Sequence, residues 1–384
     1  MNPSGQNTTY TNMSLKNGTA DIAFIGVGGS AIVRRSDRGI TAFALDAALA
    51  AIADADLSPD DIDGYVGAPS ATATAAPRVD GADEVWARSF VDALGLRRLS
   101  WAADLHRGFA TDMAVAGAHA LHANACRYVL GVRALYNLTD VTATPSPAIG
   151  ADQFRVPFGL HAVGTRFAMR ASAYLARSGA SRSDLYEVVA LARRNARRNP
   201  LAIWRDRDVS LDEYLAAPMI ADPLCRLDCD MPVCGAAAFV MARGGDRPLH
   251  ARQAAWLKGS SSWQRPQAVF ETAGLRPRDI DCAQLYDGFS SMLYEYLERF
   301  EFCPSDRGWT FVRDGHAERD GRLPLNTFGG SLGEGRLHGM GHLREAILQV
   351  SGNAGERQLA KADHCLVQVG PFDSASCLML GREK

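Results

Sequence analysis

Short apolar runs alternate along the chain with helical stretches that are rich in small residues. Ile22 to Val27 (IAFIGV) and Tyr128 to Ala134 (YVLGVRA) have the length and composition of buried strands. Asp112 to Ala125 (DMAVAGAHALHANA) lies between them and predicts a helix that packs closely against its neighbours. Near the other end, the predicted elements are a helix and two strands: His338 to Val350, His364 to Val369 and Ala375 to Leu380. This alternation predicts an α/β fold built from layers of sheet and helix.

The pattern L-x-P-x-D-I-D occurs twice, because Leu57 to Asp63 reads LSPDDID and Leu275 to Asp281 reads LRPRDID. A single turn of this kind is common, but each copy here follows a helical stretch and precedes a short apolar segment. The flanking segments are Ala42 to Ala55 and Tyr65 to Gly67 for the first copy, and Gln267 to Gly274 and Ala283 to Leu285 for the second. The shared setting indicates an internal duplication, and therefore two similar halves.

A region with many arginines separates the two halves. Gly159 to Gly179 and Ser183 to Asn199 predict two helices in this region. The polar first residues lack the apolar core of a signal peptide. We predict a disordered lead over residues 1–20, a first half over residues 21–250 with an inserted helical domain at about 137–218, and a second half over residues 251–384.

The charge and hydropathy of the chain argue against several classes of partner. Apolar residues make up 47% and charged residues 22% of a chain whose net charge is −2. No strong field therefore favours nucleic acid or an anionic membrane, and no run reaches the ~18 apolar residues that a membrane span needs. The basic run Arg193 to Arg198 (RRNARR) is typical of a solvated helix end. We expect a cytoplasmic protein without nucleic-acid or membrane partners.

The common motifs of metal and nucleotide sites are incomplete or out of context. Cys225, Cys229 and Cys234 cluster, but no histidine or fourth cysteine stands at zinc-site spacing, so we expect reduced thiols and no bound metal. Gly26 to Ala31 (GVGGSA) matches a dinucleotide-binding loop, yet a polar stretch delays the next helix and Asp46 lies inside that helix. No H-E-x-x-H or Walker sequence occurs.

The order of the segments resembles the thiolase superfamily, in its sterol-carrier and lipid-transfer-protein branch, from about Asp21 to Gly381. Met219 to Val240 (MIADPLCRLDCDMPVCGAAAFV) resembles a segment that ends in an aspartate-glycine-alanine run, with Cys234 at the aspartate. The most specific similarity lies in QLYDGFSSMLYEYLERFEFC and in LPLNTFGGSLGEGRLHGMGHLREAILQVSG. The resemblance implies a thiolase-like fold of two βαβαβαββ halves in a layered α-β-α-β-α arrangement, an inserted helical loop domain and a homodimer.

The three catalytic positions of a thiolase are altered in this chain. Phe109, in DLHRGFATD, stands where the nucleophilic cysteine is expected, and Arg336 stands where the histidine of a glycine-histidine-proline turn is expected. The second catalytic cysteine aligns at or beside Gln368, in VQVGPF. Phenylalanine cannot form an acyl-enzyme, and Cys126 lies at the far end of the helix that follows Phe109. The resemblance therefore implies a reaction without a covalent intermediate.

Tyr286, in LYDGF, replaces the asparagine or histidine that helps to hold the thioester oxygen in thiolases. This change resembles the steroid side-chain aldolases of the same branch, although those enzymes have a second tyrosine where this chain has Arg336. They cleave a β-hydroxyacyl-CoA between its α and β carbons by a retro-aldol step, in complex with a small partner that carries a zinc ribbon and an OB fold. We therefore predict a carbon–carbon lyase of lipid metabolism that converts a steroid or other branched β-hydroxyacyl-CoA into a ketone and a shorter acyl-CoA. The substrate is the coenzyme A thioester, and the chain itself binds no cofactor.

Retro-aldol cleavage needs a base for the β-hydroxyl proton and donors for the enolate that forms on the thioester oxygen. Our hypothesis gives proton transfer to Tyr286, whose ordinary pKa of about 10 a neighbouring Arg336 would lower toward the phenolate. Arg336 has two alternative roles, which are hydrogen bonds to the enolate or substrate and a structural ion pair with Glu334 or Asp287. His338 is the alternative general base.

Other residues around these motifs are candidates for the substrate pocket. His338 and His342 are spaced i, i+4, which predicts that both lie on one helix face, and two ligands are too few for a metal site. The resemblance gives these substrate-binding candidates: Phe109, His106, Asp287 and Gly370.

Two other functions compete with the lyase. One is a thiolase or acyl-CoA acyltransferase that uses a displaced nucleophile, and the replaced cysteine counts against it. The other is a non-catalytic thiolase-like subunit that binds acyl-CoA. The polar residues retained at Tyr286, Arg336 and His338 count against a non-catalytic subunit.

Overall fold

The computed structural model describes residues 21–69, 80–81, 84–106, 108–137, 150–160, 162–248, 253–370 and 375–384. The predicted lead over residues 1–20 lies outside the described residues. The described strands are β1 Ile22–Gly29, β2 Gly64–Gly67, β3 Trp101–Asp104, β4 Tyr128–Leu135, β5 Met219–Ala221, β6 Leu224–Cys225, β7 Gly235–Arg243, β8 Ala255–Ser261, β9 Cys282–Leu285, β10 His364–Gln368 and β11 Cys377–Gly381. The described helices are α1 Ile40–Asp54, α2 Ala87–Leu94, α3 Ala110–His122, α4 Val163–Ser178, α5 Arg182–Ala196, α6 Leu211–Leu215, α7 Ala268–Ala273, α8 Met292–Arg299, α9 Gly308–Arg313, α10 Gly330–Gly333 and α11 Met340–Val350.

The strands form one nine-stranded sheet in the order β3-β2-β4-β7-β1-β8-β11-β10-β9, beside a small β5–β6 hairpin. In the first half, β2 is parallel to β4, and β4, β7 and β1 then pair antiparallel. In the second half, β9 is parallel to β10, and β10, β11 and β8 then pair antiparallel. The two halves therefore share one strand order, and they meet where β1 pairs with β8 at Ala23–Trp256 and Phe24–Ala255.

The repeated sequence pattern forms the same local structure in both halves. Pro59–Asp61 and Pro277–Asp279 are short 3₁₀ turns, each placed between a helix and a buried strand. In each turn the aspartate side chain accepts from a backbone N–H three residues earlier, at 2.9 Å in both copies. The predicted duplication is confirmed at the level of turns as well as strands.

The second half has a shorter third strand than the first. The first half runs βαβαβαββ from β1 to β7, as the family resemblance implied. In the second half, the place beside β9 is taken by an isolated parallel bridge between Ala283 and Leu325. Here the chain passes directly into a glycine-rich segment, residues 326–339, which precedes α11. This connection brings the segment to the carboxyl end of β9, where Asn326 accepts from the backbone N–H of Leu285 at 2.8 Å.

Glycine in β1 serves the packing of α1. A Cβ atom on Gly28 would lie 2.4 Å from the carbonyl oxygen of Ala47, so only glycine allows the helix to approach this closely. The G-x-G-x-x-A match is therefore a helix–strand contact, in agreement with the sequence context that argued against a dinucleotide loop.

Two helices, α3 and α11, fill the centre of the molecule. Every residue of α11 except Leu348 is buried, as expected of a helix that is covered on all sides. One apolar core joins α3 and α11 to strands of both halves. A second core holds α1 and α2 against the first-half strands, and a third holds α7, α8 and the inserted helices against the second-half strands. This is the predicted α-β-α-β-α layering, and it places the N-terminal ends of both central helices in the interior.

The region between β4 and β7 carries α4, α5, α6 and the β5–β6 hairpin. Helix α5 and the turn after it lie against the glycine-rich segment. Asn195 of α5 and Asn199 of that turn donate from Nδ2 to the carbonyl oxygens of Leu325 and Phe328, each at 2.9 Å. The inserted region therefore supports the segment that leads to α11.

The basic run at the end of α5 is only partly solvated. Arg194, Arg197 and Arg198 are exposed, as predicted. Arg193 is buried, and its guanidinium carbon lies 3.9 Å from the centre of the Trp204 ring. Aromatic stacking in a partly desolvated site offsets the cost of burying this cation. No helix in the described ranges has the length and apolar character needed to cross a membrane.

Candidate active site

Three segments converge at the N-terminal ends of α3 and α11. They bring together Phe109, Tyr286 and His338, which the sequence predicted as site residues. The Phe109 ring centre lies 6.4 Å from the ring centres of both Tyr286 and His338, with edge-on geometry. A Cβ atom on Gly370 would lie 3.1 Å from the Phe109 ring, so Gly370 also borders this cluster.

Phe109 occupies the N-cap position of α3. Its backbone N–H donates to the Asp112 carboxylate at 2.9 Å, and the other Asp112 oxygen accepts from the backbone N–H and the hydroxyl of Ser376 at 2.9 and 2.7 Å. A cysteine thiolate would be favoured at such a helix end. Here the position holds an aromatic ring, and the anion at the helix end is the Asp112 carboxylate.

None of the cysteines lies at the N-terminal end of α3. All eight are free thiols, and six of them are buried. Burial raises the pKa of the half-buried Cys229 and Cys303 thiols to about 12 in each case. Cys126 follows the far end of α3, and burial raises its pKa to about 12 as well. Thiols with such pKa values are poor nucleophiles at neutral pH.

Asp230 is a member of the site that the sequence interpretation missed. Its Oδ2 lies 3.5 Å from the Tyr286 hydroxyl, and its Oδ1 lies 3.5 Å from Nη1 of Arg336. The Asp230 side chain is only 8% exposed, whereas Arg336 is 37% exposed. Arg336 therefore pairs with Asp230, and the predicted alternatives, Glu334 and Asp287, have other partners.

Those other partners are Arg344 and His342. Glu334 forms a buried ion pair with Arg344, and Asp287 lies 3.0 Å from Nε2 of His342. The signal for Asp230 in the sequence is its place in the DMPVCG stretch of the family-like segment, directly after Cys229.

Tyr286 is protonated in this environment. Burial raises its pKa well above 10, and the neighbouring Asp230 raises it further, more than Arg336 lowers it. The predicted phenolate is therefore wrong, because Arg336 acts in the expected direction but does not offset burial. Burial also raises the pKa of Asp230 to about 6, although Arg336 lowers it. The pair presents a neutral hydroxyl next to a carboxylate whose basicity suits neutral pH.

His338 lies just outside α11, with a backbone φ of 46°. The helix begins only at Met340, so the prediction that His338 and His342 share a helix face is wrong. Nδ1 of His338 lies 3.3 Å from Nη2 of the buried Arg133. Because a guanidinium only donates, Nδ1 accepts and we infer that the ring proton sits on Nε2.

The charge state of His338 follows from the same surroundings. Burial, and then the positive charges of Arg133 and Arg336, lower the pKa of His338 well below 6.5. A neutral imidazole with its proton on Nε2 is a hydrogen-bond donor. This state does not fit the alternative role as general base.

Asp287 positions the glycine-rich segment. Its carboxylate accepts from the backbone N–H groups of Ser331 and Leu332 at 2.7 and 3.3 Å, in addition to its contact with His342. A Cβ atom on Gly330 would lie 1.9 Å from Asp287 Oδ2, so glycine is required there. Asp287 is almost fully buried, which gives it a structural role in place of the predicted substrate contact.

His106 is the remaining substrate-binding residue predicted from the sequence. It is exposed on the turn after β3, and none of the contacts described above involves it. Among the described residues, no group of three histidine, cysteine, aspartate or glutamate side chains is placed to hold a metal ion.

The chain matches known proteins over most of its length. The family model for thiolase C-terminal domain-like proteins matches residues 250–382. A 17-hydroxy-3-oxo-4-pregnene-20-carboxyl-CoA lyase of Mycobacterium tuberculosis is 31% identical, over 94% of this chain and 98% of the relative. A steroid side-chain-cleaving aldolase of Thermomonospora curvata is 31% identical, over 97% of this chain and 100% of the relative. The solved structure of an Ltp2-ChsH2(DUF35) aldolase superposes with a TM-score of 0.84 at 28% identity, covering 95% of this chain and 98% of that chain.

Proposed function

This chain belongs to the thiolase superfamily, in the branch of the steroid side-chain-cleaving aldolases, and we propose that it breaks the bond between the α and β carbons of a β-hydroxyacyl-CoA. The products are a ketone and a shorter acyl-CoA. The acyl group that the relatives' names suggest is a steroid with a branched side chain. The reaction class is retro-aldol cleavage by a carbon–carbon lyase.

One observation carries this proposal: a Tyr286–Asp230 pair stands beside a phenylalanine at the helix end where a thiolase nucleophile would lie. The pair can accept a proton, and the phenylalanine cannot attack a thioester. The site thus keeps groups for proton transfer and lacks a group for covalent acyl transfer. This combination suits bond cleavage that starts from an alcohol.

Proton transfer runs through the pair. Tyr286 accepts the proton of the substrate's β-hydroxyl while it passes its own proton to Asp230. The bond between the α and β carbons breaks, its electron pair moves onto the thioester as an enolate, and the β carbon leaves as the carbonyl carbon of the ketone. Asp230 then returns the proton through Tyr286 to the α carbon. Protons and electrons balance without an external acid or oxidant.

His338 stabilises the charge that develops. Its Nε2–H donates to the enolate oxygen, in a buried site where such a hydrogen bond is strong. Arg336 keeps Asp230 ionised near neutral pH by lowering its pKa from the higher value that burial alone would impose. Phe109 and Gly370 border the acyl group at the N-terminal end of α3.

Product analysis tests the proposed reaction. Incubation with a β-hydroxyacyl-CoA that carries a tertiary β-alcohol is expected to give equal amounts of ketone and shorter acyl-CoA, measured by liquid chromatography and mass spectrometry. The alternative of a non-catalytic acyl-CoA-binding subunit predicts bound thioester and no ketone.

The assembly is part of the proposal. We propose that the chain forms a homodimer and acts with a small zinc-ribbon/OB-fold partner, since the similar solved structure is of a complex whose second named component is a DUF35 protein. Co-expression followed by light scattering tests both contacts. Cleavage measured with and without the partner decides whether the partner is required.

The pH dependence of cleavage follows from Asp230. Because burial raises the pKa of Asp230 to about 6 and the carboxylate must be ionised to accept a proton, kcat/KM is expected to fall about tenfold per pH unit below 6. Above about pH 7 the profile is expected to be flat. Initial rates from pH 4.5 to 8.5 provide the measurement, and a profile that instead rises only near pH 10 would indicate a free phenolate base.

Thiol alkylation separates the lyase from a thiolase with a displaced nucleophile. Treatment with iodoacetamide at pH 7.5 is expected to leave the rate of ketone formation unchanged within about twofold, since burial raises the pKa values of Cys229 and Cys303 to about 12. Peptide mass spectrometry of the treated protein reports which thiols reacted. Inactivation that follows alkylation of a cysteine other than Cys229, which precedes Asp230 in the chain, would support the thiolase.

A further inference from the structure

Arg133 is a buried cation that lies next to the proposed reaction centre. It is on β4, opposite Ala237 of β7, and is only 2% exposed. Burying a guanidinium is costly unless hydrogen bonds and opposite charges offset the lost hydration, and Nε of Arg133 is buried without a hydrogen-bond partner. No feature of the sequence singled it out, because it stands inside an otherwise apolar strand.

The contacts of Arg133 join three parts of the site. Nη1 donates to the carbonyl oxygen of Gly108, in the turn that leads to Phe109. Nη2 lies 3.3 Å from Nδ1 of His338, and the guanidinium carbon lies 5.9 Å from the centre of the Phe109 ring. One side chain therefore connects β4, the start of α3 and the turn before α11.

The hydrogen bond to His338 has a chemical consequence. A neutral imidazole has one nitrogen that donates and one that accepts, and the choice between them is set by the neighbours. Arginine keeps its proton at any physiological pH and can only donate. A partner of this kind forces Nδ1 to accept, so the ring proton is held on Nε2.

We propose that Arg133 is a positioning residue for carbon–carbon cleavage, which fixes the His338 ring as a neutral Nε2–H donor to the enolate oxygen. The inference rests on the proposed function, and it adds a reason why the histidine acts as donor. The charged and titratable groups that act on His338 support it: Arg133 and Arg336 are cations, and they oppose a second proton on the ring. Burial lowers the pKa of Arg133 to about 10, and the negative charge of the Asp112 carboxylate opposes that shift.

The first test observes the imidazole directly. In protein labelled with ¹⁵N-histidine, long-range ¹H–¹⁵N spectra separate the two neutral tautomers and the charged ring, and His338→Gln identifies the His338 signal among nine histidines. The wild-type His338 signal is expected to be that of the Nε2–H form from pH 5.5 to 8. In Arg133→Met it is expected to become a mixture of the two neutral tautomers, because burial and Arg336 still oppose a second proton on the ring. A wild-type ring in the Nδ1–H or charged form, or an Nε2–H form unchanged in Arg133→Met, would overturn the proposal.

The second test is kinetic. Arg133→Met is expected to lower kcat about 10- to 100-fold with KM within about twofold, because the lost interaction acts mainly on the enolate-like transition state. In a His338→Ala background the same change is expected to have less than about a threefold effect, since the histidine that Arg133 positions is gone. Equal losses in both backgrounds would mean that Arg133 acts through folding and not through His338.

Matched variants control for the removal of a buried arginine. Arg193→Met deletes a buried guanidinium that stacks on Trp204, and it is expected to leave kcat within about twofold. Arg133→Lys keeps a donor and a positive charge, and it is expected to restore the Nε2–H signal and part of kcat. If the methionine variant does not fold, the wild-type and lysine spectra decide whether the His338 ring is held in the Nε2–H form. Because the spectra need no turnover, they test the Arg133 inference even if no acyl-CoA tested is cleaved.

Discussion

Replacing Tyr286 by phenylalanine is expected to lower kcat for ketone formation about 1,000-fold, because the substrate's hydroxyl proton then has no route to Asp230. The ring itself is retained, so the edge-on contact with Phe109 and the packing near His342 persist. KM is expected to change by less than about threefold, since the lost hydroxyl acts mainly in the transition state. Steady-state kinetics with a β-hydroxyacyl-CoA provide the measurement.

Tyr294→Phe is the matched control for this variant. Tyr294 is also a buried tyrosine, and its hydroxyl donates to the carbonyl oxygen of Asp184, in the inserted region. Its loss is expected to cost about 1 kcal/mol of unfolding free energy and to leave kcat within about twofold. Cleavage at the wild-type rate in Tyr286→Phe would remove the tyrosine from the proposed mechanism.

Replacing Asp230 by asparagine is expected to lower kcat about 1,000-fold and, at the same time, to stabilise the fold. The pKa of Asp230 rises from an ordinary 3.8 to about 6, so its contribution to stability is greatest below pH 3.8 and is lost as the pH rises through about 6. At pH 8 the ionised side chain therefore costs on the order of 2 to 3 kcal/mol, which asparagine does not incur. The stabilisation is expected to shrink as the pH falls toward 4.

Urea unfolding at pH 8 and pH 4.5 measures this effect, with Asp287→Asn as the control. Asp287 accepts hydrogen bonds from two backbone N–H groups and contacts His342, so an amide there leaves a donor facing a donor. Asp287→Asn is expected to lose about 2 kcal/mol of unfolding free energy. The two buried aspartates thus give opposite signs. A destabilised Asp230→Asn protein with wild-type activity would contradict the assigned role.

The fold was predictable because short stretches of sequence determine its elements, and because the same set of elements occurs in both halves. The apolar runs at β1 and β4 and the L-x-P-x-D-I-D turns each determine their structure from a few neighbouring residues. The duplicated strand order then follows from the repeated units. The position where α11 begins was less predictable, because the positive φ of His338 and the glycine after it end the helical pattern without changing the apolar spacing.

The site was predictable only where the resemblance supplied a position. Phe109, Tyr286, His338 and Gly370 meet as expected. The partner of Tyr286, Asp230, lies 56 residues away along the chain, and the partner of His338, Arg133, lies 205 residues away. Such pairs come together only in the folded layers, and spacing along the sequence does not reveal them.

The prediction that Arg336 favours a Tyr286 phenolate is wrong for a physical reason. A sequence can suggest that a cation and a tyrosine are close, and Arg336 does lower the pKa of Tyr286. The sequence does not reveal how deeply the Tyr286 hydroxyl is buried or that the Asp230 carboxylate lies next to it. Both of these raise the pKa of Tyr286, and together they outweigh the cation.

Mass spectrometry of the intact protein during turnover tests the central claim that carbon–carbon cleavage occurs here without an acyl-enzyme. A β-hydroxyacyl-CoA labelled with ¹³C in the part that becomes the shorter acyl-CoA is mixed with the protein and its partner and quenched with acid within one turnover. The account predicts labelled acyl-CoA and ketone in solution and a protein of unchanged mass. A protein that carries the labelled acyl group, and loses it as product accumulates, would contradict it.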